Sequence, residues 1–213
     1  MKVFFGSAHA PWQPHKSGYR GAPLEEYDFS VAICRDACDN INVSASGNSA
    51  KLRHIDQRYN CSGKCAPAGL TDNQKCKQYR AGLADLTKQS KTSDLAVQMH
   101  IDNRSGSGPI CLTSGSELAV LFCEEFLTRY EQITYRRRGG RDHSGIYDCV
   151  GRHKALFGRK AWLLDGCESA VIIECGSIQS QSDTRFLMSA DAPRIFARCI
   201  SDAIIKLGGK TDV

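Results

Sequence analysis

Short apolar segments alternate along the chain with longer segments in which apolar residues recur every three or four positions. The short segments predict buried strands at KVFFGS (2–7), DLAVQMH (94–100), GPICLTS (108–114) and ESAVIIECG (168–176). The amphipathic segments predict helices at 24–41, 72–88, 115–133 and 191–209. Two weaker patterns, NVSAS (42–46) and RKAWLLDG (159–166), predict a short strand and an edge strand.

This alternation of strands and helices is typical of the α/β class. We predict a twisted, mostly parallel central sheet of about six strands with helices on both faces. A chain of 213 residues can bury one full hydrophobic core but is short for two, so we expect a single domain over residues 1–213.

Composition narrows the class further. Hydrophobic residues make up 41% of the chain and charged residues 24%, which is ordinary for a globular protein. No window approaches the roughly 18 apolar residues of a membrane-spanning helix, and the N-terminal sequence does not have the form of a signal peptide. We therefore expect no membrane partner, and a location in the cytoplasm of the producing cell until lysis or release.

The formal net charge is +5, and its densest contribution is the segment YRRRGGR (135–141). Such a loop favours polyanions, including nucleic acid or an anionic cell wall, but it is more often a solvated loop that aids solubility. A short arginine run alone does not indicate specific nucleic-acid binding, so no nucleic-acid partner is expected.

Eleven cysteines are many for this length. Cys34, Cys38, Cys123 and Cys199 lie in helical apolar stripes and are predicted to be core residues. Three others lie in the polar segment CSGKCAPAGLTDNQKC, where they could form a disulfide or a second metal site; they are Cys61, Cys65 and Cys76.

Four residues with metal-binding or acid–base chemistry follow apolar strands or open a helix. His9 comes just after the first strand, Glu26 lies in the first turn of the first helix, His100 ends DLAVQMH, and Glu174 ends the run Ala170 to Ile173. In an open parallel sheet, the carboxyl ends of the strands share one edge, where ligands bind. The four side chains can therefore converge.

Two imidazoles and one carboxylate form the protein side of many catalytic zinc sites, which keep a fourth position for water or substrate. Zinc lowers the pKa of a bound water toward about 7, and a nearby carboxylate can then accept its proton. A glutamate that closes an apolar strand is buried at a cost unless it is paired or functional, which favours Glu174 for that role. The set predicts one catalytic Zn²⁺ ion and hydrolytic chemistry.

These segments also carry a family resemblance. FFGSAHAP, LEEYDFS, DLAVQMHIDN and SAVIIECGSIQSQSD occur in the order of the corresponding motifs in the zinc-dependent N-acetylmuramoyl-L-alanine amidases of the amidase_3 family. The chain resembles above all the catalytic domains of phage endolysins in that family. It departs from the family in the first loop, where Ala8-His9-Ala10 replaces a glycine-rich sequence around the histidine.

The resemblance implies roles for individual residues. His9, Glu26 and His100 correspond to the zinc ligands and Glu174 to the catalytic acid/base, with Glu25 as the alternative second ligand. His15 has no matching position in the family, but it lies close enough to His9 in the sequence to be a rival zinc ligand. Residues expected to border the substrate groove are Trp12, His15, Asp102 and Asn103, and Asp183 corresponds to the acid that opens the helix after the catalytic glutamate.

The resemblance further implies a peptidoglycan hydrolase that cleaves the amide between N-acetylmuramic acid and L-alanine. No separate wall-binding domain is visible, and a monomer is favoured. Two alternatives stay open: a zinc peptidase or amidohydrolase acting on another peptidoglycan amide, and a non-catalytic module on the same scaffold that binds cell wall or polyanions.

Overall fold

The computed structural model describes residues 1–9, 16–17, 24–55, 72–103, 105–140, 143–149 and 162–209. Its strands are β1 (Lys2–Gly6), β2 (Lys16–Ser17), β3 (Leu24–Glu25), β4 (Ser49–Arg53), β5 (Leu95–Asp102), β6 (Ile110–Thr113), β7 (Ile146–Asp148) and β8 (Ala170–Ser177). Its helices are α1 (Glu26–Val43), α2 (Asp72–Ser90), α3 (Glu117–Thr134), α4 (Trp162–Gly166), α5 (Gln181–Leu187) and α6 (Ala192–Gly208).

Six strands form one sheet in the order β4-β1-β5-β8-β6-β7. Neighbouring strands are parallel except β6 and β8, which pair antiparallel. β2 and β3 form a separate antiparallel pair beside the start of α1. The prediction of a mostly parallel sheet of about six strands is therefore confirmed.

Side chains alternate between the two faces of the sheet, as strand geometry requires. On one face, Val97 and Met99 of β5 pack in a buried cluster with residues of α1, α3 and α6. On the other face, Ala96 and Ile172 pack with Leu86 of α2 and with α4. Helices therefore cover both faces, as the sequence predicts, and we call the second face the α2 face.

The two weaker strand predictions are wrong. NVSAS begins inside α1, because Asn42 is still helical. The strand begins seven residues later, at Ser49 of β4. The side-chain amide of Asn42 hydrogen-bonds the backbone N–H and C=O of Ala50 in that strand. RKAWLLDG contains helix α4 rather than an edge strand. The adjacent residues Leu163 and Leu164 are both buried in the same cluster, which a helical turn allows and strand alternation does not.

The predicted core cysteines Cys34, Cys38, Cys123 and Cys199 are buried, and none of these four forms a disulfide. Cys34 and Cys123 lie wholly inside the core beneath α1 and α3. The expectation of a disulfide or second metal at Cys61, Cys65 and Cys76 concerns side chains outside the described residues. Among the helices of the described ranges, none combines the length and apolarity needed to cross a bilayer.

Phe196 of α6 organises the aromatic part of the core. Its ring centroid lies 5.4 Å from that of Tyr130, 6.0 Å from Phe186, 6.1 Å from Phe29 and 6.3 Å from Phe126, and the residue is fully buried. Aromatic pairs at these separations gain energy beyond their buried area.

We expect Phe196→Ala to lower the free energy of unfolding by about 3–5 kcal/mol, because it removes a large buried side chain and leaves a cavity. Urea denaturation measures the change. Val43→Ala, at a side chain 84% exposed, is the control and is expected to change the free energy by no more than about 0.5 kcal/mol. Equal effects of the two substitutions would contradict this description of the core.

Candidate metal centre

The edge of the sheet where β1, β5 and β8 end carries the chemistry-bearing side chains. His9 lies three residues beyond β1, and His100 and Glu174 lie within the last residues of β5 and β8. Glu26 is the first residue of α1, which leads back from this edge. The structure thus brings together the four residues that the sequence predicts.

Glu26 contacts both histidines with its two carboxylate oxygens. Oε2 lies 3.0 Å from Nε2 of His9, and Oε1 lies 2.9 Å from Nδ1 of His100. Oε1 also accepts a hydrogen bond from the backbone N–H of Ile101 at 3.0 Å. The two imidazole rings meet edge to face, with centroids 5.3 Å apart.

Burial and hydrogen bonding act in opposite directions on Glu26. Burial by itself raises the pKa of this carboxyl, but the hydrogen bonds from His100 and His9 and the charges of the two rings outweigh it. The pKa of Glu26 is therefore held well below its ordinary value, so the side chain is an anion at neutral pH. An anionic oxygen donor beside two imidazoles is the ligand chemistry of zinc.

The three residues fit a metal ion. One ligand atom from each of His9, Glu26 and His100 can be chosen so that all lie within 4.8 Å of one another. Ligand atoms around a tetrahedral zinc are about 3.3 Å apart for bonds of about 2.0–2.1 Å, so only small shifts are needed. The histidine side chains are 19% and 21% exposed, whereas that of Glu26 is 7% exposed.

Two polar residues that the sequence analysis did not select hold the first loop in place. Gln98 donates from Nε2 to the carbonyl oxygen of Ser7 at 2.8 Å, and Ser30 accepts from the backbone N–H of Ala8 at 3.3 Å. His9 itself has a left-handed backbone (φ 54), a conformation that costs about 1 kcal/mol or more outside glycine. A buried glutamine inside the apolar run LAVQMH was the available sequence signal for this role.

Glu174 is the register partner of His100 in the parallel pair β5–β8. Register partners on adjacent strands project to the same face about 4.8 Å apart, so the glutamate stands beside the second histidine on the α2 face. The next residue, Cys175, projects to the opposite face and is buried there. Its burial, and to a smaller extent the charge of Glu174, raise the pKa of its thiol. Cys175 is therefore a packing residue.

The choice between the two adjacent glutamates is resolved by the contacts. The backbone of Glu25 lies opposite that of Lys16 in the β2–β3 pair. The side chain of Glu25 hydrogen-bonds Asp28, and burial together with this hydrogen bond raises the pKa of the Asp28 carboxyl. Glu26 contacts both histidines. The predicted rival ligand His15 and the predicted groove residue Trp12 lie outside the described residues.

A groove of about 890 Å³, which we call the edge groove, is lined by residues that follow His100 and Glu174 in the sequence and by the segments around β6 and β7. His9, Glu26, His100 and Glu174 themselves are not among its lining residues. Asp102 and Asn103, both predicted to border the substrate, line it at the end of β5. Ile110 of β6 also lines it and is the register partner of Glu174 in the antiparallel pair β6–β8. Ile110 therefore connects the edge groove with the strand that carries Glu174.

Asp183, in the first turn of α5, holds the far wall of the edge groove. Its Oδ2 accepts backbone N–H groups from Gly108 at 2.8 Å and Ser177 at 3.0 Å, and its Oδ1 pairs with Nη2 of Arg136 at 2.7 Å. A Cβ at position 176 would lie 3.2 Å from this carboxylate, so Gly176 permits the close approach. The predicted helix-opening acid thus acts as a structural hub.

No family model matches the sequence, and no curated protein matches it. Solved structures do match the fold. The CwlD amidase from Clostridioides difficile, solved in complex with the GerS lipoprotein, has a TM-score of 0.69 at 16% identity over 96% of each chain. The N-acetylmuramyl-L-alanine amidase Ami1 from Mycobacterium smegmatis has a TM-score of 0.67 at 13% identity, over 99% of this chain and 98% of that one.

The catalytic domain of the CD27L endolysin, which targets Clostridia Difficile, has a TM-score of 0.62 at 14% identity over 97% of each chain. At these identities the comparisons show the fold. The amidase resemblance seen in the sequence motifs is therefore confirmed at the level of architecture.

We expect His100→Ala to abolish zinc binding, because it removes one of three clustered ligands and leaves an incomplete set. Elemental mass spectrometry of the purified protein measures zinc per chain, with one ion expected in the wild type. The matched control is His54→Ala, since His54 is a histidine near the same helix that hydrogen-bonds Tyr27 and lies outside the cluster. Zinc retained in His100→Ala, or lost equally in His54→Ala, would contradict the site.

Proposed function

We propose that the protein is a zinc-dependent N-acetylmuramoyl-L-alanine amidase that hydrolyses peptidoglycan. The observation that carries this proposal is the geometry at one sheet edge: a His-Glu-His cluster with Glu174 in register beside His100. The same fold occurs in solved amidases and in an endolysin catalytic domain. The fold alone does not determine an activity, so the site carries the argument.

The proposed chemistry divides between the metal ligands and the glutamate. A zinc ion held by His9, Glu26 and His100 would supply Lewis-acid chemistry, polarising the scissile carbonyl and making water acidic near neutral pH. Glu174 accepts the proton of the attacking water and returns it to the amide nitrogen of L-alanine as the C–N bond breaks. The lactyl carbonyl carbon gains the hydroxyl, and the stem peptide leaves with a free amine.

The surroundings of the site support this division of roles. Gln98 and Ser30 hold the loop that carries His9, so the first ligand does not depend on a long free loop for its position. Asp102 and Asn103 follow His100 at the end of β5 and line the edge groove. In this proposal they orient the glycopeptide rather than take part in proton transfer.

The experiment that tests the function is digestion of purified peptidoglycan with product analysis by mass spectrometry. An amidase releases intact stem peptides with a new L-alanine N-terminus and leaves muramic acid with a free lactyl carboxylate. Shortened stem peptides would instead indicate a peptidase that uses the same ligands. Wall binding without any product would indicate a binding module.

We expect Glu174→Gln to lower the rate of digestion by about a hundredfold to ten-thousandfold, because it removes the proton acceptor but keeps the shape of the side chain. Zinc content is expected to stay at the wild-type level. Glu168→Gln is the matched control, since Glu168 is an exposed glutamate just before the opposite end of β8. Retained turnover in Glu174→Gln, or loss of its zinc, would contradict the assigned role.

A further inference from the structure

The loop that follows α3 contains three consecutive arginines whose side chains have different environments. Arg136 turns toward the protein, where its guanidinium pairs with Asp183 at 2.7 Å, donates from Nε to the Tyr130 hydroxyl at 3.2 Å, and lies 4.9 Å from the Phe186 ring centroid. This arginine is used in holding the loop.

Arg138 is also turned inward. Its Nη2 pairs with Oε2 of Glu131 at 2.7 Å, and its backbone N–H donates to Oε1 of the same carboxylate at 3.0 Å. Nη1 donates to the carbonyl oxygen of Ser144 at 3.4 Å. The charge of Arg138 is therefore compensated within the protein.

Arg137 lies between these two and differs from them in being exposed. It lines the edge groove, as does Arg138, whose guanidinium is already engaged by Glu131. Within the described part of the chain, the Arg137 guanidinium forms no ion pair or hydrogen bond, although its charge adds to the hydrogen bonds and charge of Arg138 that lower the pKa of Glu131. Of the carboxylates in the edge groove, Asp102 lies at the end of β5, whereas Asp148 lies at the end of β7, which runs antiparallel to β5 and ends at the opposite edge of the sheet.

The backbone beneath Arg137 is held against the start of β6. Gly139 donates to the carbonyl oxygen of Pro109 at 2.8 Å. A Cβ on Gly108, which has a φ of +79, would collide with the carbonyl oxygen of Arg137, so these two segments touch as only a glycine allows. A binding group on an anchored backbone loses less conformational entropy when it binds.

The distance along the strand relates Arg137 to the reacting edge. Gly108 precedes Ile110 by two residues, and Ile110 is the register partner of Glu174. Two residues of chain span at most about 7 Å. In a peptidoglycan stem, the γ-linked D-glutamyl residue is the second from the lactyl amide, so its α-carboxylate lies at a similar distance from the bond that is cut.

We propose that Arg137 binds the α-carboxylate of the second stem-peptide residue and makes the enzyme select stems in which that group is not amidated. A guanidinium binds a carboxylate through two parallel charge-assisted hydrogen bonds, whereas a neutral carboxamide offers one acceptor and no charge. This inference rests on the proposed function, because it names the substrate feature that the same site recognises.

The test compares two muropeptides that differ only at this group, one with D-isoglutamate and one with D-isoglutamine. Charge-assisted hydrogen bonds of this kind correspond to a preference of about tenfold to a hundredfold in kcat/KM. We expect the zinc-loaded wild type to prefer the carboxylate by that factor and Arg137→Gln to lose the preference. Arg137→Lys keeps the positive charge but loses the two parallel N–H donors of the guanidinium, so we expect it to retain only part of the preference for the carboxylate.

Arg198→Gln is the matched control. It makes the same charge change on α6, at a side chain 69% exposed that belongs to the opposite face of the sheet, and it is expected to keep the wild-type preference. Equal losses on both muropeptides in Arg137→Gln, or no loss on either, would overturn the proposal. Loss of the preference in Arg198→Gln would also overturn it, because it would indicate an effect of overall charge.

Calorimetric titration with the free stem peptides, in carboxylate and carboxamide forms, separates this inference from the proposed function. Carboxylate-selective binding that Arg137→Gln abolishes, without cleavage of either muropeptide by the wild type, would reject hydrolysis and support recognition by Arg137. Cleavage of both muropeptides without any selectivity would support hydrolysis and reject the role of Arg137. Neither cleavage nor selective binding would reject both.

Discussion

A buried carboxylate must be surrounded by donors, and Glu26 is the point at which this requirement shapes the molecule. Its two oxygens are satisfied by His9, by His100 and by the backbone N–H of Ile101. These donors come from the loop after β1 and from the end of β5, while the carboxylate comes from the start of α1. Because an ionised carboxylate is costly to bury alone, these three segments have to meet. The same contacts that stabilise the anion assemble the ligand set for a metal.

Asp183 performs a comparable structural task on the other side of β8. It joins the end of β8, the loop before β6 and the loop after α3 through backbone N–H groups and Arg136. The metal-binding residues and the wall of the edge groove are thus each arranged around one buried acid. The two acids differ in their partners. Glu26 contacts two imidazoles, whose ring nitrogens can bind a metal, whereas Asp183 pairs with an arginine, which cannot be a metal ligand.

The reversed direction of β6 connects these two centres. In a wholly parallel sheet, only loops that follow strands lie at the carboxyl edge. Because β6 runs antiparallel to β8, the loop that precedes it lies at that edge too, and Ile110 comes opposite Glu174. The arginine-containing loop packs on this segment through Gly108 and Gly139. The reversal of β6, which its parallel neighbour β7 shares, therefore adds a wall to a site whose other parts follow from parallel topology.

The sequence by itself determined the α/β architecture and the convergence of His9, Glu26, His100 and Glu174, because apolar strands of fixed periodicity deliver their last residues to one edge. The family resemblance favoured Glu26 over its neighbour Glu25, but only the folded structure shows that Glu26 contacts both histidines while the Glu25 side chain hydrogen-bonds Asp28.

Only the tertiary structure decided the different environments of Arg136, Arg137 and Arg138, because their distant partners Asp183 and Glu131 determine which side chains turn inward. It also decided that RKAWLLDG contains a helix, since a short apolar run fits either state until its packing partners are known. Local pattern determines which face of an element is apolar, whereas pairing between distant residues determines which polar groups meet.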